Sequence, residues 1–461
     1  MIKHHHVVYE FNYLTKEKVS GGDNFTQISA TAFDYLVELC KCQESESRFL
    51  SNKRVGTIEV VQVKNYLGVI FTPDGTQIEV LPKTASRAQS DDGNADARAA
   101  LLNMLATLAD FKSIQSSTAN IEQIQMPLLE VFISEFLASV NQLIKRGLRS
   151  DYVNKQDNLY FLKGKLLVNQ QMKQNFINQH KFVVEYDEFE PDRPANRLLH
   201  STLVKVKQFT RSLKNQKLLS ELTFAFADIP LSQNIKNDFL QLKLDRGMQY
   251  YKAPLAWAKL ILEGFSPLTT KGINHASSLL FRSEVLFESY VRHVLNQQIK
   301  TDDNKLIGQT REKSLVEHNG ANYFNLQPDL VIQACSLELS KKSVTQVVLD
   351  TKWKLLDQNK NNGTDKYGLS QADFYQMFAY AQKYLNGHGT LVLIYPKQTD
   401  FEEPLQHSFD FTSDDNKQLK LWVVPFDISH NCDDNKRLLI QKGSGLDNYL
   451  NCAVPQPATN G

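Results

Sequence analysis

The chain has 461 residues, long enough for two or three domains that each bury a core of their own. Its 52 basic and 51 acidic side chains nearly cancel, so no global field draws it to nucleic acid, and any such contact must come from a local patch or a partner. No apolar run is long enough to span a bilayer, the first residues lack the apolar core of a secretory signal, and the five cysteines (Cys40, Cys42, Cys335, Cys432, Cys452) form neither a disulfide framework nor paired zinc-ligand units. A cytoplasmic chain with reduced thiols is expected.

Taken in chain order, residues 7–83 hold short β-branched and aromatic runs, among them Val55–Val61, Leu67–Ile70 and Gln77–Val80, separated by polar turns. They predict a β-rich N-terminal domain that, with its helices, extends over residues 1–145. Pro73-Asp74-Gly75 is a hairpin-turn sequence. Three adjacent imidazoles, His4-His5-His6, lie close to a terminus expected to be mobile and receive no role. The apolar pattern Phe33–Leu39 predicts a helix that ends around Cys40-x-Cys42. Residues 84–97 are polar and read as a loop before helices over Ala99–Leu108 and Leu128–Leu143.

Residues 146–270 are expected to form a connecting, largely helical segment, with i, i+3, i+4 spacing at Leu198, Leu199, Leu203, Val206 and Phe209 and punctuation at Pro230 and Pro254. Residues 271–430 should form a C-terminal α/β domain; its Gly389–Tyr395 run is apolar enough for a strand buried on both faces, and Leu419–Pro425 reads as another. Residues 431–461 are taken as a tail, whose Asn-, Pro- and Gly-bearing end is expected to fray. The predicted class is α+β with several domains.

The chemistry concentrates in the C-terminal domain. Gln327-Pro328-Asp329-Leu330-Val331-Ile332 and Val347-Val348-Leu349-Asp350-Thr351-Lys352 are two strand-like runs that each deliver a carboxylate, and alternation puts Asp350 and Lys352 on one face. Carboxylate oxygens are the donors that Mg²⁺ prefers, and one or two such ions can activate water for attack on a phosphodiester, with Lys352 orienting that water or neutralising developing charge. Upstream, Phe281–Val291 is an amphipathic helix with Glu284 and Glu288 four residues apart, either of which can reach a metal. Downstream, Gln376 and Tyr380 share one face of a helix running to about Tyr384.

A Glu-bearing helix, a Pro-Asp strand, an Asp-x-Lys strand and a Gln-x-x-x-Tyr helix, in that order, resemble the PD-(D/E)xK nuclease superfamily. Leu349–Lys354 and Phe374–Tyr380 are more specifically similar to the McrC family, the nuclease subunits of modified-cytosine-dependent restriction systems. Further runs fit the same family: Asn65–Ile70, Ile78–Lys83, Arg146-Gly147-Leu148 with Tyr152, Phe161–Leu167, Tyr186–Phe189 and Asn196–Leu199. The resemblance covers roughly residues 50–430.

It implies a nuclease domain with a mixed central sheet and a Mg²⁺-dependent endodeoxyribonuclease. Asp329, Asp350, the Thr351 carbonyl and Glu288, preferred over Glu284, would hold the metal, Lys352 would act beside the attacking water, and Gln376 and Tyr380 would contact phosphate or support Lys352. It also implies a GTP-hydrolysing AAA+ partner of the McrB type that recognises modified double-stranded DNA, with the N-terminal domain docking on that motor and stimulating it. Lys163-Gly164-Lys165 lacks the frame of a phosphate loop, so nucleotide hydrolysis is left to the partner. Arg146, Lys163 and Lys165 are candidates for docking, and Asp187 and Glu188 are read as solvated or capping. Two alternatives keep the fold and change the biology: a non-catalytic activator of the motor, and a stand-alone repair nuclease.

Overall fold

The computed structural model describes residues 4–19, 24–42, 49–85, 91–108, 126–263, 278–299, 304–334, 344–411, 419–429, 432–441 and 443–450. The boundary expected near 270 and the last eleven residues of the tail lie outside them. Contacts gather into two compact units, one built on residues 126–279 and one that combines residues 4–125 with residues 280–461. The expected division at 145 and 270 is therefore drawn differently. The helix Leu128–Arg146 goes with the first unit, and the N-terminal strands go with the C-terminal sheet.

In the larger unit, the C-terminal residues form a six-stranded mixed sheet. Its middle is made of Leu330–Ala334, antiparallel to Val344–Thr351, followed by the parallel strands Gly389–Pro396 and Leu419–Phe426. Val392, Leu393, Ile394, Val423 and Val424 are almost wholly buried, which is why these runs show no polar alternation. The helix Gln371–Tyr384 lays Met377, Tyr380, Ala381 and Tyr384 on a core that includes Val331, Val348, Leu391 and Leu393. Burial at this spacing fixes which face of the helix looks at the sheet.

The N-terminal residues of the same unit form one four-stranded sheet and three strands of a second, whose fourth strand is Ser278–Arg282. The histidine run is not a loose end: His4–Tyr9 pairs in parallel with Thr76–Leu81, and His5 Nε2 lies 3.1 Å from Glu79. The helix expected from Ala99 begins earlier, at Asp91. Its polar first half is held by a buried ion pair, Arg98 Nε to Glu79 Oε1 at 2.5 Å, a tertiary contact that hydrophobic periodicity cannot register. At the Pro73-Asp74-Gly75 turn, Asp74 accepts bonds from Thr72 Oγ1 (2.6 Å), Thr76 N and Thr76 Oγ1 (both 3.1 Å), and from Ser29 Oγ.

In the smaller unit the helices of the 146–270 segment are preceded by a sheet. Asp151–Leu159, Lys165–Leu166 and Phe182–Glu190 form an antiparallel sheet before the helices Pro194–Val206, Leu213–Ala225, Ile235–Leu240 and Lys252–Glu263. Cross-strand charges hold this sheet: Lys155 meets Glu188 at 2.9 Å and also Glu190, and Lys163 meets Glu188 at 3.1 Å. Asp187 accepts from Asn154 at 3.1 Å. Val183 and Val184 are buried, but most of the large apolar side chains around this sheet are exposed, so the hydrophobic pattern gave little strand signal. Tyr160, Phe161 and Leu162 are exposed, and Phe176 and Ile177 are 80% and 90% exposed.

The Asp74 turn yields a test. Burial would raise the Asp74 carboxyl, but the bonds from Ser29, Thr72 and Thr76 outweigh it and hold it at about 2, below the ordinary 3.8. Stabilisation from a depressed carboxyl is present above its unfolded value and lost as pH falls through its folded one. Asp74→Asn should cost about 1–2 kcal/mol near neutrality, after allowance for solvent screening. In urea unfolding followed from pH 7 to pH 2, the gap between wild type and variant should close below pH 4; a constant gap would contradict this account.

Candidate functional site

Antiparallel register builds the site. Leu330 pairs with Leu349, Val331 with Val348 and Ile332 with Val347, so one residue beyond the ladder Asp329 comes opposite Asp350. Directly opposed residues of an antiparallel pair project to the same face with Cβ atoms roughly 4.5–5.5 Å apart. Thr351 secures the arrangement, since its amide and its hydroxyl both donate to Asp329 Oδ2 at 2.7 Å. Asp350 is 1% exposed, and Lys352, just past the strand end, brings Nζ to 2.5 Å from Asp350 Oδ2. The expected shared face of Asp350 and Lys352 is present.

Lys352 is held from two sides. Its amide donates to the Ile394 carbonyl of the neighbouring strand at 2.8 Å, and its ammonium donates to Gln376 Oε1 at 2.9 Å. Gln376 Nε2 then donates to Tyr380 Oη at 2.7 Å, and Tyr380 donates to the Gln327 carbonyl at 2.9 Å. The helix pair at i, i+4 thus ties the lysine to the chain just before Pro328-Asp329. Gln376 and Tyr380 contact the lysine end of the site directly.

The helix Ser283–Gln297 contributes Glu288 and holds Glu284 away. Glu284 is exposed and paired with Arg282 at 3.2 Å. Glu288 accepts from Gln309 Nε2 at 2.8 Å, and the Gln309 amide donates to the Asp329 carbonyl at 2.9 Å. Gln309 adopts a left-handed backbone, φ 49°, unusual for a residue with a side chain and a mark of local constraint. Its side chain and main chain together join the Glu288 helix to the Asp329 turn.

The electrostatics are those of crowded negative charge. Burial first, then the charge of Asp329, push the Asp350 carboxyl up to about 7 in spite of Lys352. Burial and Asp329 likewise raise Glu288. Burial works against the charged form of Lys352, yet Asp350, Asp373 and Asp329 win and raise it. Asp350 Oδ2 is buried and makes no well-aligned hydrogen bond. A hard divalent cation fits this set, because it would offset the repulsion between Asp329 and Asp350 that Lys352 alone leaves standing. Among the described residues no three His, Cys, Asp or Glu side chains converge as a closed metal cage. Asp329 and Asp350 are the carboxylates that could hold a cation, and Mg²⁺ commonly takes one or two carboxylates and keeps several waters.

Two supporting residues escaped the sequence reading. Asp373 accepts from Lys354 Nζ at 2.8 Å and Tyr395 Oη at 3.4 Å, and lies 4.0 Å from Lys352 Nζ. Its position at the start of the Gln376 helix was visible, but its partners were not. Gln309 had no signal at all, since a glutamine in a turn says nothing about what it will bridge.

Comparison with known proteins fits this geometry to a family. The family model described as McrBC 5-methylcytosine restriction system component matches residues 61–396. Among solved structures, a chain of the "Refined half-complex from tetradecameric assembly of Thermococcus gammatolerans McrB AAA+ hexamers with bound McrC" superposes with TM-score 0.63 at 18% identity, covering 96% of this chain and 99% of that one. A chain of the Thermococcus gammatolerans McrBC complex gives TM-score 0.45 at 21% identity over 63% of this chain and 86% of that one, too low to carry an argument. Curated proteins give no match. The likeness in fold is to McrC-containing assemblies, and with the family model spanning most of its length, this chain belongs to the McrBC 5-methylcytosine restriction system component family.

Proposed function

We propose that this chain is the Mg²⁺-dependent endodeoxyribonuclease subunit of a modification-dependent restriction complex, working with a GTP-hydrolysing AAA+ motor of the McrB type. The observation that carries this reading is the register that sets Asp329 opposite Asp350, with Lys352 Nζ 2.5 Å from Asp350. Asp329 and Asp350 would hold the cation, with Glu288 and the Thr351 carbonyl as further oxygens at its edge. When bound, the cation would polarise the scissile phosphate and lower the pKa of a bound water.

The protein's own groups do the rest. Thr351 fixes one oxygen of Asp329 and leaves the carboxylate oriented toward Asp350. Gln376 holds the Lys352 ammonium beside Asp350, where it can steady the attacking water and the charge that develops on phosphate oxygens. These groups address the phosphodiester and not base edges, so base identity is left to the partner.

The test is cleavage of 5-methylcytosine-bearing plasmid with Mg²⁺, the cognate motor and GTP. Asp350→Asn and Lys352→Ala should each lower cutting by at least about 100-fold while melting temperature and stimulation of the motor's GTPase stay unchanged. Undiminished cutting by Asp350→Asn would overturn the assignment. Stimulation by wild type without cutting would leave the activator reading, and cutting without motor or GTP the stand-alone one.

Motor docking has a better candidate than the first 145 residues. The turn that follows Asp151–Leu159 exposes Tyr160, Phe161 and Leu162 in succession, an apolar run of the kind that marks a protein interface. The relative of similar fold is bound to McrB AAA+ hexamers, and such a ring is the occupant proposed for this surface. Lys163 and Lys165 lie in the same sheet region, whereas Arg146 stacks on Tyr250. Phe161→Ser with Leu162→Ser should weaken GTPase stimulation at least about tenfold without altering the melting temperature, because buried interface anchors typically contribute above 1 kcal/mol each. Unchanged stimulation would remove the sheet from the interface.

A further inference from the structure

The segment that leaves the nuclease-like sheet is gripped by residues that precede it by 270 and 343 positions. Glu10, one residue past the first strand, is 2% exposed. Its Oε2 accepts from Trp353 Nε1 at 2.8 Å, and its Oε1 accepts from Ser283 Oγ. Lys83, 7% exposed, donates from Nζ to the Trp353 carbonyl at 3.2 Å and lies 4.5 Å from the centre of the Phe11 ring. Trp353 is thus held by its indole and by its main chain, and it is the residue after Lys352.

The same carboxylate reaches the second element of the site. Ser283 opens the helix Ser283–Gln297, and that helix stacks Phe287 on Trp353 with ring centres 5.3 Å apart, one residue before Glu288. One buried side chain, Glu10, therefore bonds both the segment that carries Lys352 and the helix that carries Glu288. Burying two ionisable side chains is an expensive way to gain stability, since well-packed apolar residues of similar volume often do as well. What Glu10 and Lys83 supply that apolar residues cannot is a fixed direction for specific donors and acceptors.

We propose that Glu10 and Lys83 are positioning residues for the site, holding the Lys352–Trp353 segment and the Glu288 helix in one arrangement, so that the N-terminal strands are part of the cleavage machinery. The proposal rests on the nuclease reading, and Asp350→Asn serves as the control that separates the two. If that variant cuts as well as wild type, the nuclease reading fails, and the positioning role is then judged on the spectroscopic measurement alone.

Glu10→Ala removes both acceptors, and Glu10→Gln keeps one, so a graded response is the signature sought. With the complete chain, the cognate motor, Mg²⁺ and GTP, kcat for cleavage should fall at least about tenfold in Glu10→Ala and by an intermediate factor in Glu10→Gln, with KM for DNA unchanged. Trp353→Phe should resemble Glu10→Ala, and the Glu10→Ala/Trp353→Phe double variant should lose no more than either single one. Incorporation of 5-fluorotryptophan places three fluorine reporters in the chain, and the one that vanishes in Trp353→Phe should be displaced in Glu10→Gln.

Should Glu10→Ala fail to fold, Glu10→Gln and the fluorine spectrum still decide. An unmoved Trp353 resonance, additive losses in the double variant, or a kcat loss that merely follows the melting temperature would each overturn the proposal.

Discussion

Everything around the site follows from one constraint, the burial of Asp350 beside a second carboxylate. Two like charges at neighbouring positions of an antiparallel pair repel, and low exposure removes the water that would screen them. The protein answers with a lysine at 2.5 Å, with a threonine that ties down Asp329 through both its amide and its hydroxyl, and with a glutamine and a tyrosine that keep the lysine in place. A single cation is too little positive charge for the buried Asp350, the half-buried Asp329 and a nearby Glu288. This residual imbalance is what the proposed divalent ion would relieve.

The same logic explains why the N-terminal strands cannot be treated as a detachable module. Glu10 and Lys83 are buried charged groups, and each finds partners across the sequence in Trp353 and Ser283. Removing them would leave the Trp353 indole N–H and the Trp353 carbonyl without these partners. Burial raises the Glu10 carboxyl and lowers the Lys83 ammonium, the direction expected when desolvation is only partly repaid by a neighbouring charge. A pair held at that cost specifies geometry more than it adds stability, although the energetic balance of such pairs differs between proteins.

What could be seen in the sequence was local. The strands over 389–395 and 419–425, the Asp-x-Lys spacing, and the four-residue separation of Gln376 and Tyr380 are short-range patterns whose physical meaning survives folding. The carboxylate pair needed one further piece of information, the strand register, which an Asp in each of two apolar runs does not contain. What stayed hidden depended on distant partners. The helix from Asp91 is anchored by Arg98 on Glu79, the 151–190 sheet is held by Lys155 and Lys163 on Glu188, and Gln309 matters only because it meets Glu288. Family resemblance supplied the proposed DNA substrate and the proposed motor; neither could be reached from composition or near-zero net charge.

The claim on which the rest stands is that Asp329 and Asp350 together hold a divalent cation. Crystals grown with Mn²⁺ in place of Mg²⁺ and measured by anomalous scattering test it directly. The account predicts an anomalous peak bridging the Asp329 and Asp350 carboxylates in wild type and lost in Asp350→Asn. No peak at saturating Mn²⁺, or one that ignores both carboxylates and persists in the variant, would contradict it.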